Sequence, residues 1–346
     1  MRHHQVTMAT LIAATTLLTT SEARSTCIDY ADFMQATGYA STAGVVNDLA
    51  TSGNYAYIAV ASAGLQVADL SNPDAPAIVA LAATGDSRGV ACSGSYAYVA
   101  CGNAGLRVVN ISNPLSPTVV ATLDTPGAAN GVAIQGNYAY VGDGTQGLQV
   151  ISIANPLAPS IVGHATLPGS SSDVAVLGSL AFVVGGTSGW SVVRVVTPSA
   201  PVVLSTIVSG TTRSVEPFSH YVAVAEAAGT VRVYDVANAS SPAVISSIAT
   251  QAEMYKTALR GSVLFVPAAY DNTAFTASVV SVDLSNPANP VEIGRTGLLA
   301  DGRAIAFAGD RGFVGTNYPT QGLISVAAAN PATVSDAGAR CSRESG

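Results

Sequence analysis

The chain has 346 residues, a formal net charge of −7 and only one lysine, Lys256. An acidic chain this poor in cations lacks the basic patch that a phosphate backbone needs, which excludes nucleic acid as a partner. Charged residues make up 10% of the chain, against about 25% in ordinary globular proteins, so most side chains are expected between packed sheets.

Residues 1–23 read as a secretion signal. Arg2 supplies the positive start, Met8 to Leu18 the apolar core, and Ser21-Glu22-Ala23 the small residues of a cleavage site. The apolar run is too short to span a bilayer. The mature chain is therefore expected to be secreted, periplasmic or at the cell surface, with no integral membrane segment after cleavage. Residues 24–44 form a lead-in that loosely resembles the last strand of the repeats that follow, and it is a candidate to close a ring. Residues 45–341 are repeats, and 342–346 are a tail.

Gly53-Asn54-Tyr55-Ala56-Tyr57 leads to Gly64-Leu65-Gln66-Val67-Ala68-Asp69-Leu70-Ser71-Asn72-Pro73. The wording returns at Tyr96, Tyr138, Leu180, Tyr221, Val263 and Arg311, at intervals of 41, 42, 42, 41, 42 and 48 residues. Seven units of this period, each with four short strand signals, predict an all-β fold: a seven-bladed β-propeller of four-stranded antiparallel blades. In the second unit the strands are predicted at 89–92, 96–101, 106–111 and 118–123. Tight turns such as Gly94-Ser95 and the Asn113-Pro114 turn separate them. Tyr96 and Tyr98 alternate with Ala97 and Val99, so both faces of the strand are apolar and adjacent blades should interlock.

Leu65-Gln66-Val67-Ala68-Asp69 and Val279-Val280-Ser281-Val282-Asp283, each running into Ser-Asn-Pro, resemble the LVIVD-repeat family of β-propellers on exported bacterial and archaeal proteins. The resemblance implies the fold and export, without one shared activity. The Asp slot is Asn110, Ser152, Arg194 and Ala327 in four units, so the resemblance implies no catalytic role for it.

Candidate site residues come from the slots just ahead of strand one, which should ring the mouth of the central channel. They read Asn47-Asp48, Arg88-Gly89, Asn130-Gly131, Ser172-Asp173, Arg213-Ser214, Tyr255-Lys256 and Arg303-Ala304. In a chain with so few charges, Asp48, Arg88, Asn130, Asp173, Arg213, Lys256 and Arg303 at equivalent slots predict a mixed-charge mouth, net positive, suited to a polar or anionic ligand. Strand starts near solvent are also polar for no functional reason. Asp143 is a second candidate, for a metal, but no Asp-x-Asp-x-Asp-Gly series surrounds it. Tyr270-Asp271-Asn272 mark an enlarged loop in the sixth unit. Cys27 and Cys341 flank the ring and are candidates for a disulfide in an oxidising compartment. Cys92 and Cys101 sit too far apart along a hairpin to pair, and read as small buried thiols.

Catalytic motifs are absent. There is no G-x-S-x-G elbow, Walker sequence or Cys-x-x-Cys, and His164 and His220 fall on an outer strand and on the opposite face. No cofactor or metal is expected. The first reading is an interaction module for a protein, peptide or glycan. The alternative is a hydrolase or lyase acting at the channel mouth.

Overall fold

In the computed structural model, residues 34–250, 252–271, 277–298 and 300–328 are described. The signal at 1–23, Cys27, Cys341, the tail and Asn272 of the enlarged loop lie outside these residues. Seven sheets form among them, with no α-helix. The fold is a seven-bladed β-propeller of antiparallel blades.

Blade two shows the unit: Gly89–Ser93, Tyr96–Ala100, Leu106–Asn110 and Thr118–Leu123, paired in chain order from the channel outward. The second and third strands are buried because each blade is covered on both faces. Tyr57 of blade one packs with Ala97 of blade two, Tyr98 with Ala139 of blade three, and Tyr140 with Ala181 of blade four. A large ring on one blade thus meets a small residue on the next. Between blades four and five the lock is aromatic: Trp190, 1% exposed, meets Tyr234 edge-on at 5.0 Å. Each such burial contributes about 1.5–3 kcal/mol.

The family's signature residues turn out to shape turns. The Asp69 carboxylate accepts the Ser71 N–H at 2.8 Å, and Asn110, Asp235 and Asp283 do the same two residues on. The following Asn72 side chain accepts from Asp74 N–H, closing the Ser-Asn-Pro turn. Hydrogen bonds from Ser71 hold the Asp69 carboxyl below the usual carboxylate range.

The ring is closed by the lead-in. Met34–Ala40 pairs antiparallel with Leu323–Ala328 as the outermost strand of blade seven, so both ends of the described chain share one sheet. Blade six departs from the unit. Its inner strand is broken into Ala252–Met254 and Ala258–Arg260, both paired with Val263–Asp271. Tyr255, Lys256 and Thr257 lie in the break.

Candidate functional site at the channel mouth

The inner strands converge so closely that blades two and three have no room for a side chain at the slot equivalent to Asp48. A Cβ on Gly89 would lie 2.6 Å from Asn130 O, and one on Gly131 would lie 2.8 Å from Asp173 Cα. Glycine is required there by contact with the neighbouring backbone. One residue earlier, the rim is stitched from blade to blade. Asn47 Nδ2 donates to Ser87 O at 2.8 Å, Arg88 Nη1 to Asn130 Oδ1 at 2.8 Å, and Asn130 Nδ2 to Ser171 O at 2.9 Å.

The other side of the mouth is built differently. The broken strand of blade six turns Lys256 across the channel; its N–H bonds Arg303 O at 3.0 Å rather than a partner within its own blade. Its ammonium lies 2.7 Å from Asp48 Oδ2 in blade one and 3.2 Å from Asp173 Oδ1 in blade four. Both carboxylates are buried, at 3% and 6% exposure. Asp48 also accepts the N–H groups of Leu49 and Val90, both at 2.9 Å. Asp173 Oδ2 accepts from Ser214 Oγ at 3.3 Å, and Ser214 in turn accepts from Thr257 N–H and Oγ1. Lys256 thus sits on Asp173 Oδ1 at a longer distance than on Asp48 Oδ2, and holds Asp173 the more loosely of the two.

Burial alone would lower the Lys256 pKa, but Asp173 and Asp48 outweigh it and hold the ammonium above its ordinary value. Burial pushes the Asp173 carboxyl up, against the pull of Lys256. A further acid stands below them. Glu216 is half-buried in the channel wall, and its carboxyl is pushed up to about 8 by burial and then by Asp173, against Lys256.

Above this floor, Tyr255 lies between two guanidinium groups: Arg303 at 4.1 Å and Arg213 at 5.5 Å from the ring centroid. Arg213 is paired with Glu253 at 3.1 Å, and Arg88 with Asp86 at 2.6 Å. Arg303 makes no ion pair among the described residues, and its Nε is buried without an acceptor.

Arg88, Asn130, Asp173, Arg213, Lys256 and Arg303 all line one open cavity of about 410 Å3. Asp48 is not in its lining but touches it through Lys256. The expected net positive charge is corrected by the fold. Asp86 and Glu253, outside the predicted slots, balance two arginines, so the four cations face four carboxylates besides Glu216, whose carboxyl is pushed up to about 8. Sequence reasoning missed Glu216, although a signal existed. Its slot holds Ala50, Ala91, Ala133, Ala175, Ala258 and Ala306 in the other six units.

The remaining candidates hold structure. Asp143 is fully buried and accepts from Thr125 Oγ1 at 2.7 Å and Gly127 N–H at 2.9 Å, which ties the loop between blades two and three to blade three. Among the described residues no group of three His, Cys, Asp or Glu side chains is arranged to hold a metal. Cys101 is buried and Cys92 half-buried, both as free thiols.

With this geometry in view, the LVIVD repeat profile matches residues 43–84, 84–125, 126–166, 168–208 and 270–296, more than half of the chain. The chain belongs to the LVIVD-repeat family. Blades one to four of this LVIVD-repeat protein are matched in full, blade six in part, and blades five and seven not at all. No curated protein is similar enough to the chain to serve as a relative. Solved structures share the fold at low identity. U3-55K is 10% identical with a TM-score of 0.69, covering 86% of this chain and 99% of its own. The β-propeller domain of Cps50 (Swd1) from Myceliophteria thermophila is 9% identical with a TM-score of 0.67, covering 86% and 100%. The computationally designed Ika8 protein is 12% identical with a TM-score of 0.61, covering 85% and 100%. At these identities they speak for the fold of the LVIVD-repeat chain and not for its ligand.

Proposed function

We propose that this protein is an exported interaction module whose channel mouth takes up a polar or anionic group from a small ligand or from a partner protein, peptide or glycan. The observation that carries this reading is Arg303. It lies over the Tyr255 ring at the wall of the cavity, and among the described residues no carboxylate is paired to it and its Nε lacks an acceptor. A planar guanidinium held on an aromatic face is pre-organised for a carboxylate, phosphate or sulfate. The family's association with exported proteins and the leader at 1–23 support an envelope or extracellular setting. Among the described residues no helix is long and apolar enough to cross a membrane.

The test is capture from the native envelope fraction with the folded chain, using Arg303→Ala and the double variant Arg88→Ala/Arg213→Ala as controls. The reading expects a retained partner that Arg303→Ala releases while its melting temperature stays unchanged. Equal retention by all three chains would move the interaction away from the mouth.

A hydrolase or lyase at the same mouth is the second reading, and one group favours it. A carboxyl raised to about 8, as at Glu216, holds its proton at neutral pH, as a general acid must. Lys256 weighs against it. Its ammonium fills the space between Asp48 and Asp173, where a bond to be cleaved by that pair would have to lie.

A further inference from the structure

We infer that the mouth recognises a small zwitterion, with the ligand's anionic group on Arg303 and its ammonium on Asp173. The inference rests on the mouth being a ligand site, as proposed above, and adds the class of ligand.

The argument begins with the charges left over once every pair is made. At the floor, Asp48 and Asp173 share a single ammonium, so one negative charge is in excess. The surplus falls on Asp173, the more distant partner of Lys256 at 3.2 Å against 2.7 Å for Asp48, and Asp173 lines the cavity where Asp48 does not. A buried carboxylate that shares its ammonium with a second carboxylate is under-compensated, and an ammonium from a ligand would complete the pairing. At the rim, Arg88 and Arg213 have their own carboxylates, and Arg303 is the cation in excess. Among the described residues its guanidinium lacks an anion, as the floor lacks a second cation.

The two surpluses belong to blades four and seven, three blades apart around the ring, and both face the same space of about 410 Å3. A simple anion would satisfy Arg303 but leave the floor uncompensated and repel it. A simple cation would meet the reverse problem. A molecule carrying both charges compensates both ends, and the cavity is large enough for an amino acid with water beside it. Raising the charge of the floor alone is not an option for the protein, because Lys256 is already committed to two partners.

Isothermal titration calorimetry on the full chain tests this, with free L-amino acids as probes, each beside its N-acetylated and its C-amidated form. The expected result is binding of at least one free amino acid, with both blocked forms weaker by about tenfold or more. Asp173→Asn, which keeps the side-chain shape, should weaken the free amino acid about tenfold and leave the N-acetylated form unchanged. Arg303→Ala should weaken the free and N-acetylated forms and leave the amidated one unchanged. A thermal melt of each variant separates lost contacts from lost fold. If the N-acetylated form binds as tightly as its parent, the zwitterion is overturned while the anion-binding mouth stands. If no probe binds, the zwitterion is likewise overturned, and release of an envelope partner by Arg303→Ala would still uphold the mouth as an interaction site.

Discussion

Blades two and three and blades five to seven make opposite use of the same slots. In the regular blades, Gly89 and Gly131 let inner strands touch, and Arg88 and Asn130 stitch the rim. These blades match the repeat profile end to end. In the divergent blades the same slots hold Ser214, Lys256 and Arg303, the inner strand of blade six breaks, and Glu216 interrupts a column of alanines. Of the segments that carry Arg213, Glu216, Tyr255, Lys256 and Arg303, none is matched by the profile. The repeat wording specifies how blades pack and turn. The mouth's crossing ammonium and its stacked arginines arise where that wording has worn away.

The largest expected effect strikes the divergent side. Lys256→Met leaves Asp48 and Asp173 buried without their cation, and should cost about 3–5 kcal/mol in urea unfolding at pH 7. The cost should shrink as pH falls, because the Asp173 carboxyl, already pushed up by burial, takes up a proton and sheds its share of the unpaired charge. A small effect at pH 7 would mean that water or a bound ion replaces the ammonium.

Gly131→Val tests the regular side. Its Cβ would meet Asp173 Cα at 2.8 Å, a backbone contact that cannot rotate away. A loss of about 2–4 kcal/mol is expected, whereas Arg303→Ala, which removes a half-buried cation without an ion-pair partner among the described residues, should cost under about 1 kcal/mol. Similar losses for the two would erase the contrast between the sides.

Glu216→Gln reads out as a pH slope. With its carboxyl pushed up to about 8 from the ordinary 4.5 of a free glutamate, the folded chain binds more protons than the unfolded one between these values. Stability therefore falls as pH rises through this window. The glutamine should flatten that part of the curve, leave stability near pH 4.5 unchanged, and add roughly 1–2 kcal/mol at pH 8, discounted for the acid's partial exposure. Asp173, also raised, keeps a residual slope of the same sign starting at lower pH.

The smallest effect concerns a worn turn. Six hairpins place glycine at φ near 55–61°, and blade five places Ser219 there at 52°. Ser219→Gly should raise stability by about 0.5–1 kcal/mol in thermal unfolding, while glycine-to-serine at Gly94 should lower it by a similar amount.

Much of this was legible beforehand. The period, the Tyr-Ala alternation and the Asn-Pro turns predict blades, strands and interlock, because each depends on local spacing. The mouth slots were legible too, since equal positions in a ring face one axis. The pairing among them was not. Asp86 and Glu253 lie outside the aligned slots, and Lys256 reaches two blades in either direction because the strand carrying it is broken.

By itself the sequence determined seven units, their four strands and the polar character of the hub, since repetition of local pattern forces a closed stack. Only the tertiary structure decided which charges neutralise one another and which remain over. Coulomb interaction depends on distance and burial across the channel, and residues some two hundred positions apart, such as Asp48 and Lys256, have no signature in local spacing.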